Sequence, residues 1–147
     1  MTKERDEARA EAEGFWEHHR QVWSASGGTK LTEVLGMGVL QLNTVGRRSG
    51  EDRWALLTYL PADRGWLVVA SNLGADNDPG WWKNLVAAEG KGSVTVDGTT
   101  TPIRAHALAG DEREEAFARF VATHDGYADY VKWADRTIPV VALVPES

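Results

Sequence analysis

Three arginines crowd one short turn of an acidic chain. The segment LQLNTVGRRSGEDRWALLTYLP, residues 40–61, places them around GRRSG, although the chain of 147 residues has a net charge of −6. Guanidinium groups donate charge-assisted hydrogen bonds to phosphate and carboxylate, and glycines allow a tight turn whose N–H groups point at an anion. The turn is therefore either an anion-binding site or a hairpin tip with solvated arginines. Its candidate binding residues are Arg47, Arg48, Ser49, Gly50 and Arg53.

A second candidate site lies where a strand passes through a glycine-containing loop into a helix, in VVASNLGADNDPGWWKNL, residues 68–85. Such a junction often cradles a phosphate or the edge of a ring. Ser71 and Asn72 could donate hydrogen bonds there, and Asn84, one turn into the helix, could fix a polar edge. Trp81 is either a flat wall for a planar ligand or a core residue.

The third candidate is an aromatic helical face in THDGYADYVKWADRTIP, residues 123–139. Tyr127, Tyr130 and Trp133 are three residues apart and therefore share one face of a helix. A phenol with a pKa near 10 is a competent proton donor at neutral pH. Tyr127, Tyr130 and His124 are thus candidate proton donors, and the alternatives are core packing for the tyrosines and a structural role for the histidine.

The composition excludes several classes of chemistry. Cysteine is absent, so the chain has no disulfide, no thiolate nucleophile and no Cys-ligated metal. HExxH, GxSxG and Walker motifs are missing and no histidines have metal-ligand spacing, so no metal is expected. The chain also lacks a broad basic face, which argues against nucleic acid as a partner. Without a signal peptide or a membrane-spanning run, the expected location is the cytoplasm.

Hydrophobic periodicity predicts an amphipathic helix over 3–23, within an N-terminal unit of residues 1–27. Its acidic face favours packing on its own domain or on a partner subunit over lying on a membrane. A second long helix, 110–124, has Asp111 as its predicted N-cap and Glu114 at the capping-box position. The other predicted elements are strands at 39–45, 53–60, 66–71, 93–98, 100–108 and 137–145 and helical segments at 81–88 and 127–136.

The order of these elements predicts the fold class. Most strand connections are short, which favours an antiparallel sheet or barrel with flanking helices, an α+β fold, over a βαβ nucleotide-binding fold. A chain of this length is expected to form a single domain, with the barrel in residues 28–147. Seven tryptophans could fill its core or provide flat walls for a planar ligand.

Taken in order, three segments resemble the deazaflavin (coenzyme F420)-dependent nitroreductase family. They are LNTVGRRSGEDR, VVASNLGADNDPGWWKNLVA and YADYVKWADRTIPVVAL, and with their spacing they cover about residues 39–146. The resemblance implies a split β-barrel of the FMN-binding type, coenzyme F420 as hydride donor, and a quinone, an enone or a nitroaromatic as acceptor. It is compatible with a monomer or a homodimer, and with peripheral contact at the inner membrane as an alternative to a purely cytoplasmic location.

The resemblance also implies roles for individual residues. The arginine turn matches the segment that grips the cofactor's phosphate and oligoglutamate tail. Ser71, Asn72 and Asn84 match the segment around the ring and the substrate, which makes Ser71 a candidate for catalysis as well as for cofactor binding. Tyr127 and Tyr130 match tyrosines that line the substrate pocket.

Several positions depart from the family pattern, among them Asn72, where the family often has lysine, and Leu56 and Leu57, where it often has Pro-Leu. Leu73 stands where the family often has glycine, and His124 stands where a well-known member has tyrosine, so both bear on the acceptor more than on the cofactor. Two other functions remain as alternatives: an FMN- or haem-binding split barrel, and a non-catalytic cofactor carrier. The basic turn favours F420, because its tail carries several carboxylates as well as a phosphate.

Overall fold

The computed structural model describes residues 2–146, with side chains from residue 6 onward. Seven strands and four α-helices occur in these residues, together with a 3-10 helix at Asn72–Gly74. In chain order they are α1 (Thr2–Ser26), β1 (Glu33–Val34), β2 (Met37–Val45), β3 (Asp52–Pro61), β4 (Trp66–Val69), α2 (Gly80–Ala87), β5 (Lys91–Val96), β6 (Thr99–Ala107), α3 (Gly110–Thr123), α4 (Gly126–Trp133) and β7 (Val140–Pro145).

Six of the strands close into an antiparallel barrel. They are hydrogen-bonded in the order β2, β3, β4, β7, β6, β5, and β5 pairs again with β2. The closing pairs run from Gln41 opposite Thr95 to Asn43 opposite Ser93. Every neighbouring pair is antiparallel, which is why the short connections in the sequence are sufficient. Closure leaves the six strands without a free edge.

Apolar side chains form two main buried clusters. The strands supply most of the first, which includes Leu42, Val68 and Leu143, all 0% exposed. The second joins the sheet to the helices α3 and α4, and it includes Phe120 and Tyr127. The rings of these two residues meet edge to face, with centroids 5.3 Å apart. This contact joins α3 to α4, and both rings share their buried cluster with Leu67 and Val140 of the barrel.

The helix α1 packs on the outside of the barrel. Trp23 is 1% exposed and packs with Leu56, and its indole N–H donates to Gln41 Oε1 at 2.9 Å. His19 is also buried, and its Nε2 lies 2.8 Å from the carbonyl oxygen of Leu31. Of the two uses expected for this helix, the structure shows packing on its own domain. Within residues 2–146, no helix is both long and apolar enough to cross a bilayer.

The predicted fold class, an antiparallel split barrel with flanking helices, is confirmed, and so is the hairpin around Asp97 and Gly98. The ends of several strands differ from the prediction. The strand predicted at 39–45 begins earlier, at Met37, and that predicted at 66–71 already ends at Val69. The last strand begins at Val140 rather than at 137, and β5 begins at Lys91 rather than at 93.

The helix α3 begins at Gly110 as predicted, but its predicted N-cap is wrong. Its N-cap is Ala109, with no side-chain hydrogen bond at the cap, and Asp111 lies inside the first turn. The first turn closes when the Arg113 N–H donates to the Ala109 carbonyl, so Asp111 and Glu114 cannot form the predicted capping box. Asp111 still favours the helix, because its negative charge lies near the positive end of the helix dipole. The short strand β1 and the 3-10 helix were not predicted.

Candidate active site

The turn between β2 and β3 forms a wall of an open cavity of about 450 Å³. We call it the arginine cavity, and its lining includes Arg47, Arg48, Ser49, Arg53, Trp81 and Asn84. The three arginine side chains are exposed and face this shared space. Its lining contains no acidic residue among the described residues, although the neighbouring Glu51 pairs with Arg53 at 3.4 Å. The structure therefore gathers the predicted cations around a concave surface.

The turn is held by hydrogen bonds of its own backbone. The Gly46 N–H donates to Glu51 O at 2.8 Å, and the Gly50 N–H donates to Gly46 O at 2.9 Å. Gly50 has a φ of +71°, which a residue with a side chain adopts only with strain. The N–H groups of Gly46 and Gly50 are therefore already bonded within the turn, and an anion held by other N–H groups of the turn stays a prediction. Gly50 shapes the turn, and its direct contact with a cofactor stays a prediction.

Asn84 connects the turn to the helix α2. Its side chain is 6% exposed, and its Oδ1 accepts hydrogen bonds from Arg47 N at 3.2 Å and from Arg47 Nη1 at 3.0 Å. Its Nδ2 donates to Thr44 Oγ1 at 3.1 Å. These bonds satisfy the buried amide and orient Arg47. The polar ring edge predicted as a partner for Asn84 would have to compete with them, so that role stays a prediction.

A second cavity, of about 270 Å³, adjoins the first. We call it the ring cavity, and its lining includes Leu57, Thr58, Ser71, Asn72, Trp81 and Tyr130. Ala55 and Trp81 line both cavities, so the basic groove lies beside a cavity with mostly apolar walls. Trp81 also meets Trp82 edge to face at 6.4 Å. Residues of all three predicted segments thus contribute to one connected site.

Tyr127 lies in the wall of the ring cavity. Its hydroxyl forms a hydrogen bond of 2.8 Å with Thr58 Oγ1 and lies 3.9 Å from the sulfur of Met37. Burial raises the pKa of Tyr127 to about 12, although the bond to Thr58 acts in the opposite direction. The phenol is therefore protonated at neutral pH and can donate a hydrogen bond or, to a strongly basic oxygen, a proton.

Tyr130 and His124 complete the aromatic part of the site. The ring of Tyr127 lies between them, 5.7 Å from Tyr130 and 5.9 Å from His124, each in an edge-to-face arrangement. Burial raises the pKa of Tyr130, and the carboxylate of Asp129 adds to this rise. Both residues line the ring cavity, and their role as proton donors stays a prediction.

An apolar cleft of about 510 Å³ continues from the ring cavity between α1 and α4. Trp16, Leu35, Leu73, His124 and Tyr130 line both spaces. Two of the departures from the family pattern, Leu73 and His124, therefore lie at the junction of the cavity and the cleft. This placement supports the interpretation that they bear on the acceptor.

Some residues of the site were not predicted from the sequence, among them Trp16 and Thr58. The apolar stripe of α1 includes Trp16, but helical spacing alone does not show which other element it meets. Thr58 carried a stronger signal, because it is a hydroxyl within the apolar strand ALLTYL and a buried hydroxyl needs a partner. That partner is Tyr127, 69 positions away.

A family model described as F420H(2)-dependent quinone reductase matches residues 13–145. This match covers the barrel, both cavities and most of α1. The chain belongs to this family. It is accordingly an F420-dependent oxidoreductase with coenzyme F420 as its cofactor, which confirms the predicted class of enzyme and cofactor.

Individual members and solved structures agree with the family. The chain is 34% identical over 102 residues, which are 67% of it and 82% of the relative, to "Putative F420H(2)-dependent quinone reductase Rv3178" of Mycobacterium tuberculosis. A solved "F420-H2 Dependent Reductase (FDR-A)" is 30% identical with a TM-score of 0.63, over 71% of this chain and 92% of that one. A structure described as a "domain-swapped dimer" is 27% identical with a TM-score of 0.66, over 90% and 98% of the two chains.

The two cavities of this family member fit coenzyme F420. Its phosphate and tail carboxylates need cations, and the arginine cavity presents Arg47, Arg48 and Arg53 together. Its fused rings need a flat and mostly apolar slot, and the ring cavity offers Trp81 and Leu57. The order of the two environments along the groove matches the order of the two chemical parts in the cofactor.

Proposed function

We propose that the protein reduces a quinone with F420H2 and that enones and nitroaromatics are further acceptors. When bound, the reduced cofactor supplies a hydride, and the acceptor gains this hydride and a proton. The single observation that carries the proposal is that the arginine cavity and the ring cavity lie side by side and share Ala55 and Trp81 as lining residues. A carrier that only stored the cofactor would have no need of the further cleft beside the ring cavity.

The proposed binding roles follow from the position of each side chain. Arg48 and Arg53, with Ser49, bind the phosphate and the carboxylate tail in the arginine cavity, and Arg47 does so while held by Asn84. The remaining cofactor-binding candidates, Ser71, Asn72 and Trp81, border the ring cavity and orient the ring edge. Ser71 is 9% exposed and adjoins the reacting end of the site in this proposal.

The proposed proton donors are Tyr127, Tyr130 and His124. Tyr127 holds its proton firmly, because burial raises its pKa to about 12. Its hydroxyl is best suited to donate a hydrogen bond to the acceptor oxygen while negative charge develops there. Tyr130 and His124 lie at the more open end of the cavity, next to the cleft, where exchange with water can restore a donated proton.

We further propose a cytoplasmic location and a homodimeric or monomeric state. The acidic character of α1 disfavours attachment to an anionic membrane surface, which supports the first proposal. The similarity to a structure described as a domain-swapped dimer supports a dimer as one of the two states. Light scattering after size-exclusion chromatography distinguishes these states.

The function is tested by titrating the protein with oxidised F420 and with FMN, followed by fluorescence, and then by assaying F420H2 oxidation with menadione, an enone and a nitroaromatic. We expect tighter binding of F420 and turnover with menadione. Preferential binding of FMN would contradict the cofactor assignment in this chain. Binding of pre-reduced F420 without ring oxidation in a single-turnover experiment with menadione would indicate a carrier.

The role of the arginines is tested with Arg48→Ala combined with Arg53→Ala. Removal of two charge-assisted contacts should weaken F420 binding by about 2–4 kcal/mol. The matched control is Arg64→Ala combined with Arg104→Ala, which removes the same charge from exposed arginines whose bonds go to Pro145 O and Glu146. If both double variants bind F420 equally well, the arginines of the turn are a solvated hairpin tip.

A further inference from the structure

The loop that follows β4 has a strained backbone. It contributes Ser71, Asn72 and Leu73 to the lining of the ring cavity. Asn72 has a φ of +47° and Leu73 a φ of +54°, and neither is glycine. Two successive residues in the left-handed region persist only when contacts around them hold the backbone there. Something outside the loop must therefore fix it.

Arg9 Nη1 donates to Asn72 O at 2.9 Å, and Arg136, just after α4, bonds to both ends of the loop. Its Nη2 donates to Ala70 O at 3.2 Å and to Ser71 O at 3.0 Å, at the start of the loop. Its Nε donates to Ala75 O at 3.1 Å and its Nη1 to Asp78 Oδ1 at 2.8 Å, at the end of the loop. The Arg136 side chain is 14% exposed, so these bonds are largely shielded from water. One guanidinium group thus binds both ends of the strained segment.

The geometry of the guanidinium group is essential to this arrangement. Its planar fork presents donors in fixed, divergent directions, whereas a lysine ammonium is a single point of charge. A lysine could reach Asp78 or the carbonyls at the start of the loop, but it could not hold both. The four bonds go to three main-chain carbonyls and to Asp78, and Arg136 does not line the arginine cavity.

We infer that Arg136 is a positioning residue that holds loop 70–79 in the conformation that seats the F420 ring for hydride transfer. This inference rests on the proposed function. Arg136 acts through Ser71, Asn72 and Leu73 and does not itself touch the acceptor. Loss of Arg136 should therefore impair turnover much more than it impairs binding of the cofactor tail.

The test uses Arg136→Gln and Arg136→Lys, with Arg113→Gln as the matched control. The Arg113 side chain is 15% exposed, and its Nη2 donates to Ile138 O at 2.7 Å, just before β7. It forms no hydrogen bond to loop 70–79. We expect kcat with menadione to fall at least tenfold in both Arg136 variants, less in the lysine variant. KM for F420H2 should stay within about threefold, and Arg113→Gln should keep its kcat at temperatures where it is folded.

A second readout is independent of activity. The Gly74 N–H donates to Ser71 O and the Ala75 N–H donates to Asn72 O, at 2.9 Å and 3.1 Å. Hydrogen exchange of the cofactor-free protein should accelerate at these amides in Arg136→Gln and not in Arg113→Gln. Guanidinium ion added at a non-denaturing concentration should partly restore the kcat of Arg136→Ala, which a loss of general stability would not allow.

Three outcomes would overturn the inference: unchanged exchange in the loop, unchanged kcat, or equal loss of kcat in the Arg136 and Arg113 variants. If Arg136→Gln does not fold, Asp78→Asn is used instead, because it weakens the bond between Arg136 and Asp78. The same hydrogen-exchange and kcat measurements then test the inference. If the wild-type protein oxidises no F420H2, the proposed function fails. Unchanged hydrogen exchange in Arg136→Gln would show separately that Arg136 does not hold the loop.

Discussion

At the scale of single residues, Tyr127 shows how one hydroxyl connects the fold to the site. It lies in the second apolar cluster, yet its oxygen bonds to Thr58 at the wall of the ring cavity. Burial favours the neutral phenol over the phenolate, which is the cause of its raised pKa of about 12. The protonation state proposed for the reaction is therefore also the state that the fold requires.

This linkage predicts a loss of stability at alkaline pH that Tyr127→Phe lacks. The folded-state pKa, about 12, lies above the unfolded value of 10, so the contribution of Tyr127 is constant below pH 10 and declines as the pH rises through 12. Relative to Tyr127→Phe, the wild-type free energy of unfolding should decrease by about 1.4 kcal/mol between pH 8 and pH 11. Urea denaturation at both pH values measures it. A difference that stays constant up to pH 11 would show that the phenol is not buried as described.

The residues of the site differ in how far the sequence reveals them. Arg47, Arg48 and Arg53 could be predicted, because their charge and their spacing around a turn are local properties. Thr58 and Trp16 could not be placed, because what matters is the element they meet, and that is set by tertiary packing. Asn84 was found for its polarity, but its partner Arg47 is visible only in the structure.

At the scale of elements, the short connections and alternating strands were sufficient to predict an antiparallel barrel. The end of β4 was missed for a physical reason. A strand normally continues while its carbonyls find partners on a neighbouring strand, but the carbonyls of Ala70 and Ser71 accept from Arg136. The strand β1 was missed because the turns on either side of it place Leu31 and Leu35 at φ of +56° and +55°. Leucine rarely adopts a positive φ, so the sequence gives no sign of these turns.

The barrel also depends on close backbone approach at Gly65, in the turn between β3 and β4. Its φ is +85°, and a Cβ there would overlap the carbonyl oxygen of Leu143 in β7. Gly65→Ala should therefore destabilise the protein by about 3 kcal/mol, from left-handed strain together with displaced backbone. Gly98, in the turn between β5 and β6, is the matched control, with a φ of +81° and Thr29 Cγ2 at 3.5 Å as the nearest contact.

Gly98→Ala should cost only the strain, about 1 kcal/mol. Urea denaturation of the two variants gives both values. Equal losses would mean that the β3–β4 turn can move away from β7 without affecting the barrel. A larger loss for Gly98→Ala would place the tighter constraint at the other hairpin.

At the scale of the whole molecule, α1 and the barrel share both a core and a site. The predicted boundary after residue 27 separates a helix from a barrel along the sequence. Trp23 is nevertheless buried against Leu56, and Arg9 donates to Asn72 O at 2.9 Å in the ring-side loop. We therefore propose that the helix and barrel fold as one unit and that the helix is part of the acceptor site.

Trp16 provides the test of this proposal, because it lines both the ring cavity and the apolar cleft. Trp16→Ala removes an apolar wall from the acceptor side without touching the arginine cavity. We expect KM for menadione to rise about tenfold, equivalent to about 1.4 kcal/mol, and F420 affinity to fall much less, because the arginine cavity is intact. Phe15→Ala is the control on the neighbouring position, since Phe15 is 50% exposed and lines the cleft but not the ring cavity. The KM of Phe15→Ala for menadione should stay within about twofold of the wild-type value. An unchanged KM in Trp16→Ala would mean that α1 has only a structural role.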